Sequence, residues 1–170
     1  MDTTTRSTGT ALLGIYLNDH LAGASGGVEL ARRLARQHRD APSGAALRRL
    51  ATEVAEDRSV LLELLRTLNL PVRRYKIMLG WAGEKVARLK LNGRVARRSP
   101  LSTYLELEAM ALGIQGKLLA WRALRTWAEG DLRIASHRLE ALEQRGQGQW
   151  QLLEDLRRQA AARVFPSAAG

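Results

Sequence analysis

The chain of 170 residues contains no cysteine. That absence removes disulfide staples, thiolate metal ligands and a cysteine nucleophile together, and it agrees with a reducing, cytoplasmic setting. Aromatic residues are also scarce, at 5% of the chain, although hydrophobic residues make up 45%. The core is therefore expected to consist of Leu, Ala and Val, which suits helix packing better than a β-sandwich. No apolar run approaches the roughly 18 to 20 residues of a spanning helix. The short run 11–17 follows Asp2 and leads into Asn18, Asp19 and His20 without a small-residue cleavage pattern, so no signal peptide is expected. At this length a single domain, 1–170, is the natural reading, with 1–10 and 166–170 expected to be flexible.

What the chain does have is charge in one place. Arg73, Arg74, Lys76, Lys85, Arg88, Lys90, Arg94, Arg97 and Arg98 face only Glu84, so residues 73–98 hold a net +8 of the formal +10. Three of the four lysines lie in this window, which a general preference for arginine does not explain. Trp81 and Ile77 fall among these cations on a helical wheel, an arrangement that could grip phosphates and set an aromatic ring against a lipid interface or a nucleobase. The bland alternative is that Trp81 packs on a loop or a second subunit while the arginines pair with acids of the neighbouring helices. An anionic partner (an acidic protein, a membrane surface or nucleic acid) is the expectation that the charge itself supports.

Apolar or small residues at Leu13, Leu17, Leu21, Ala24, Val28, Ala31 and Ala35 define one face of a first helix over 11–38. Turn chemistry at Asp40, Pro42 and Gly44 ends it, with Ser43 expected to cap a second helix that carries Leu47, Leu50, Val54, Leu61, Leu65 and Leu68. Residues 71–98 read as a basic crossover, helical where Tyr75, Met78, Leu79, Ala82, Val86 and Leu89 fall in a narrow arc, then a loop after Asn92 and Gly93. Ser99 and Pro100 start a third helix that runs to about Glu129, and Gly130 and Asp131 turn it into a fourth that carries Leu132, Leu139, Leu142, Leu153 and Leu156. A crossover of about 21 helical residues spans about 31 Å, enough to bring the third helix back to the end where the second began.

That plan of two hairpins joined by a long crossover, with the segments Tyr16–Leu21 and Leu139–Arg145, resembles the ferritin-like superfamily. The resemblance implies an all-α four-helix bundle and, in active members, two metal ions held by one Glu from each of two helices and a Glu-x-x-His pair from each of the others. No Glu-x-x-His occurs here; the nearest substitutes are Glu53-x-x-Glu56 and the reversed His137-x-x-Glu140. Counting residues from the expected turns brings Glu29, Glu53, Glu108 and Glu154 to similar heights. If they bound a metal, their hard oxygen donors would suit iron, manganese or magnesium.

His20, Asp57 and Glu108 fall on or near the apolar faces, either as ligands or proton carriers or as buried groups paired with Arg58, Arg122 or a backbone carbonyl. Small residues from Ala22 to Gly27, at Ala109, Ala111, Gly113 and Gly116, and at Gly146 and Gly148 point first to close helix packing, and otherwise to a ligand space or a self-association surface. Neither a nucleophile elbow nor a phosphate-binding glycine loop is present.

The expectation is an all-α, ferritin-like bundle with an added amphipathic crossover helix and no working metal centre or other cofactor. It would act as a binding or structural protein through residues 73–98, and could form a homo-oligomer. The alternatives are a metal-dependent relative handling iron or reactive oxygen through an altered carboxylate site, and a peripheral membrane or non-specific nucleic-acid binder.

Overall fold

A computed structural model describes residues 3–73 and 99–166. Among them the chain forms four helices and no strand: α1 (Thr3–Gln37), α2 (Gly44–Thr67), α3 (Pro100–Trp127) and α4 (Ser136–Val164). None of these is long and apolar enough to cross a membrane.

The helix ends show which local signals decide. Ser99 caps α3 as its sequence implies, its side chain accepting from the Leu101 N–H at 3.2 Å with Pro100 at the first helical position. Ser43 does not cap α2: it already has helical dihedrals and makes no side-chain capping bond. The turn before α2 depends instead on Gly44, where a Cβ would lie 2.5 Å from the Arg39 carbonyl oxygen. At the other end of α2, Asn69 adopts a left-handed φ of 55°, and the N–H groups of Asn69 and Leu70 return to the carbonyls of Arg66 and Leu65. This double closure satisfies two carbonyls that the helix end would otherwise leave open.

Two boundaries differ from the sequence expectation. α1 begins at Thr3 rather than at residue 11, although the Thr-rich start has poor helix propensity. α4 begins at Ser136, so Leu132 lies outside it and is fully exposed, while Ile134 is buried. The cause is Asp131, whose carboxylate accepts the Arg133 N–H at 3.0 Å and bends the chain a second time after Gly130.

Contacts across the bundle give the direction of each helix. Arg33 meets Glu106 and Gly27 meets Met110, so α1 and α3 are antiparallel. Arg138 meets Glu63 and Arg145 meets Glu56, so α4 opposes α2. Arg125 meets Glu140 while Arg157 meets Tyr104, so α3 and α4 are antiparallel as well. It follows that α2 and α3 run in the same direction. The expected crossover helix that would join them falls on residues 74–98, outside the described residues.

The apolar core comes in two parts. One gathers Val28, Leu34, Leu47, Leu50, Val54, Met110, Ile114, Leu118 and Leu153. The other gathers Leu17, Leu21, Leu61, Leu65, Trp121, Leu124, Ile134, Leu139 and Leu142. Between them lies a polar layer, set by Asp57 on α2, Lys117 on α3, and Arg145 and Gln149 on α4.

Among the mid-helix glycines of the described residues, Gly146 has the closest neighbour. A Cβ on Gly146 would come within 2.7 Å of Leu118 Cδ2 and 3.2 Å of its Cγ. Among the described residues, nothing lies within 4 Å of the corresponding position on Gly148. Gly146→Val is therefore expected to lower unfolding free energy by about 1 to 3 kcal/mol through overpacking. Gly148→Ala should raise it by up to about 1 kcal/mol through helix propensity. Urea unfolding of the two variants beside the parent checks both signs.

Candidate functional site: an ion network in the bundle centre

Asp57 sits on the inward face of α2, between Val54 and Leu61, and is 2% exposed. Cations from two other helices meet its carboxylate. The Lys117 ammonium on α3 donates to one oxygen, and the Arg145 guanidinium on α4 donates to the other. Gln149 lies one helical turn beyond Arg145 and is also buried. Its side-chain oxygen accepts from Lys117, and its amide nitrogen donates to Glu53 at 2.9 Å. From the surface, Arg49 donates to the other Glu53 oxygen at 2.7 Å, and Arg145 reaches the exposed Glu56 at 3.1 Å. The network thus runs from solvent to the bundle centre and ties α2 to α3 and α4.

Removing a carboxylate and an ammonium from water costs several kcal/mol for each ion, and only close opposite charges and hydrogen bonds offset that cost. Burial holds the Lys117 ammonium below the ordinary lysine value. The Asp57 charge and hydrogen bond pull it back up, Arg145 adds to the depression and Glu53 opposes it. For Glu53, burial alone would raise the carboxyl. Hydrogen bonds from Gln149 and Arg49, with the charges of Arg49 and Arg145, outweigh burial and leave it below the ordinary glutamate value. Chemically the centre is a neutralised cluster in which an ammonium and a guanidinium occupy the acceptors of Asp57.

The four carboxylates singled out as metal candidates lie in three separate surroundings. Glu29 is exposed on α1 and pairs with Arg32 at 3.0 Å. Glu53 belongs to the central network. Glu108 and Glu154 share an outer groove between α3 and α4 with Trp150 and Arg157, and Arg157 grips both oxygens of Glu154 at 2.7 and 2.8 Å. Among the described residues no three His, Cys, Asp or Glu side chains come together in a way that could hold a metal ion.

The remaining polar candidates lie apart from the central network. His20 is half-buried with its ring edge-on to Tyr16 at 4.5 Å; burial lowers its pKa and Asp19 opposes the shift. His137 and Glu140 are exposed. The expected partners of Asp57 are engaged elsewhere, Arg58 donating to Ser25 at 3.0 Å and Arg122 lying 3.6 Å from Glu143.

Of the basic segment, Arg73 alone is within the described residues. It is exposed, and its backbone N–H donates to the Asn18 side-chain oxygen at 2.7 Å. The Asn18 amide nitrogen in turn donates to the carbonyls of Gly14 at 2.7 Å and Pro71 at 2.9 Å. A buried asparagine on α1 therefore clamps the chain where it leaves α2. Arg74, Lys76, Trp81, Lys85, Arg88, Lys90, Arg94, Arg97 and Arg98 lie outside the described residues.

Sequence reasoning missed Lys117, Arg145, Gln149 and Asn18. A signal existed for the first three: Lys117 falls at helical spacing between Ile114 and Trp121, and Arg145 and Gln149 fall between Leu142 and Leu153.

Asp57→Ala removes the buried carboxylate shared by Lys117 and Arg145, leaving them only the more distant Glu53 and the exposed Glu56, and should cost about 3 to 5 kcal/mol in denaturant unfolding. Asp57→Leu combined with Lys117→Met and Arg145→Met should cost much less than that single change, because no buried charge is left unpaired. Since the folded Glu53 carboxyl lies below its ordinary value, it contributes stability above that value and loses it as pH falls through the folded one. Glu53→Gln should therefore flatten the decline in melting temperature between about pH 6 and about pH 3.

Compared with protein-family models, with curated proteins and with solved structures, the chain matches none of them.

Proposed function

We propose that this chain is a ferritin-like helical bundle that works by binding rather than by catalysis, with residues 73–98 as its contact surface for an anionic partner. The observation that carries the reading is the segregation of charge. Within the bundle, arginines are answered by nearby acids: Arg32 by Glu29, Arg49 by Glu53, Arg125 by Glu143, Arg138 by Glu63 and Arg157 by Glu154. The window 73–98 has nine cations and a single acid of its own. Such an excess draws polyanions by Coulomb attraction and by release of their condensed counterions.

Two features support the rest of the proposal. Parallel α2 and α3, each paired with an antiparallel neighbour, match the layout of ferritin-like bundles with one long crossover. The central acceptors of Asp57 are taken by Lys117 and Arg145, which favours a structural interior over a reactive one.

Binding is tested with fluorescent single-stranded oligonucleotide and with vesicles containing phosphatidylserine, each over a range of salt. The logarithm of the affinity should fall linearly with log salt, and Arg73→Gln, Arg74→Gln, Lys85→Gln and Arg88→Gln together should abolish most of the binding while the melting temperature stays put. Equal affinity in parent and quadruple variant would dismiss the basic segment as the contact surface.

A further inference from the structure

Helix α3 carries a second apolar stripe that faces away from the bundle. Leu105, Ala109, Leu112, Gly116, Leu119 and Ala123 recur at alternating intervals of four and three, the spacing of a coiled-coil seam. Leu112 is 65% and Leu119 52% exposed. Ala109 and Ala123 are exposed too, and Leu105 and Gly116 partly so. No position of the stripe carries a charge. Gly116 is unexplained by the packing of its own chain: among the described residues nothing lies within 4 Å of where its Cβ would stand, although a mid-helix glycine weakens the helix.

We infer that this stripe is the seam of a two-fold symmetric, antiparallel dimer whose occupant is a second copy of the chain. A two-fold contact requires that if one residue meets another across the axis, the reverse also holds. With the axis crossing α3 midway between Leu112 and Gly116, Leu112 lies opposite the partner's Gly116. Leu119 then lies opposite the partner's Ala109, and Leu105 opposite the partner's Ala123. Each leucine enters a space left by a small residue, in both directions. A parallel pairing would instead set leucine against leucine and leave a void between facing glycines.

The flanking row agrees. Glu108, Gln115 and Arg122 each precede a small seam residue by one position. The same axis brings Glu108 beside the partner's Arg122 twice and Gln115 beside its own copy, each pair within about 3 Å of level. Flanking charges of this kind set orientation and alignment in coiled coils. Sliding the pair by seven residues would keep the leucine-to-small pattern but lose both charge pairs. Arg122 lies 3.6 Å from Glu143 of its own chain, yet its side chain is 50% exposed and still presents its charge to the outer face.

The absence of cysteine makes the geometry easy to test on the full chain. The parent should sediment as a dimer, and Gln115→Cys should form an interchain disulfide under mild oxidation. Glu108→Cys should not, because its two copies would stand about 18 Å apart along the axis. Gly116→Leu should fold with undiminished thermal stability at low concentration, since its own chain leaves the space open, but lose the dimer. A parent that is monomeric throughout the concentration range overturns the inference and leaves the stripe to another occupant, such as residues 74–98 of the same chain. Equal cross-linking at 108 and 115, or a Gly116→Leu protein that still dimerises, overturns it as well.

Discussion

A carboxylate held almost out of water, at Asp57, is the constraint on which the interior depends. Its charge is tolerable only while Lys117 and Arg145 stay in contact with it, and those residues come from α3 and α4. Three helices are therefore bound to one small volume, with Gln149 spanning the gap to Glu53. The two parts of the apolar core lie on either side of this layer, with Leu118 packing beside the ions against Gly146. Arg145 is long enough to bridge α4 and α2 while also reaching the exposed Glu56, so this pair of helices is joined largely by polar side chains. On the other side of α4 the spacing is tight, with Gly146 admitting Leu118.

The exit of the chain from α2 is settled by a different device. The double carbonyl closure at Asn69 and Leu70 stops the helix, and Leu70 packs beside Gly14 of α1. The next residues are fixed by Asn18, which binds a carbonyl at Pro71 and an N–H at Arg73. The first cation of the basic window thus sits at a defined place on α1, close to the bundle end opposite the start of α3. Its backbone is tied to α1 there, which limits the backbone ordering cost of any contact made at that point.

Much of the bundle was legible in the leucine spacing, because periodic apolar residues report a buried face whatever the partner helix is. Ser99 and Pro100 were legible for a local reason: both cap and first-turn proline act within a few residues. Leu132 was misplaced because its apolar character outweighed the turn chemistry of Asp131, which decides the local path. The ion network was harder to read. Asp57 stood out as a polar residue on an apolar face, but its partners lie 60 and 88 residues away and depend on how two hairpins dock. Counting residues for height does not fix rotation about a helix axis, and Glu29 turns outward on α1.

The polar layer also bears on which alignment of the two hairpins is allowed. Leucine and alanine faces are forgiving: moving α3 and α4 by one helical turn, about 5.4 Å, against α1 and α2 would still bury apolar side chains against one another. The same movement would bring Asp57 level with leucines and leave Lys117 facing hydrocarbon. A core made only of small aliphatic residues would offer several sliding registers of similar energy, and parting Asp57 from Lys117 and Arg145 raises the energy of the shifted ones. In a chain with so few large aromatic side chains to act as keys, charge supplies the uniqueness that shape alone would leave open.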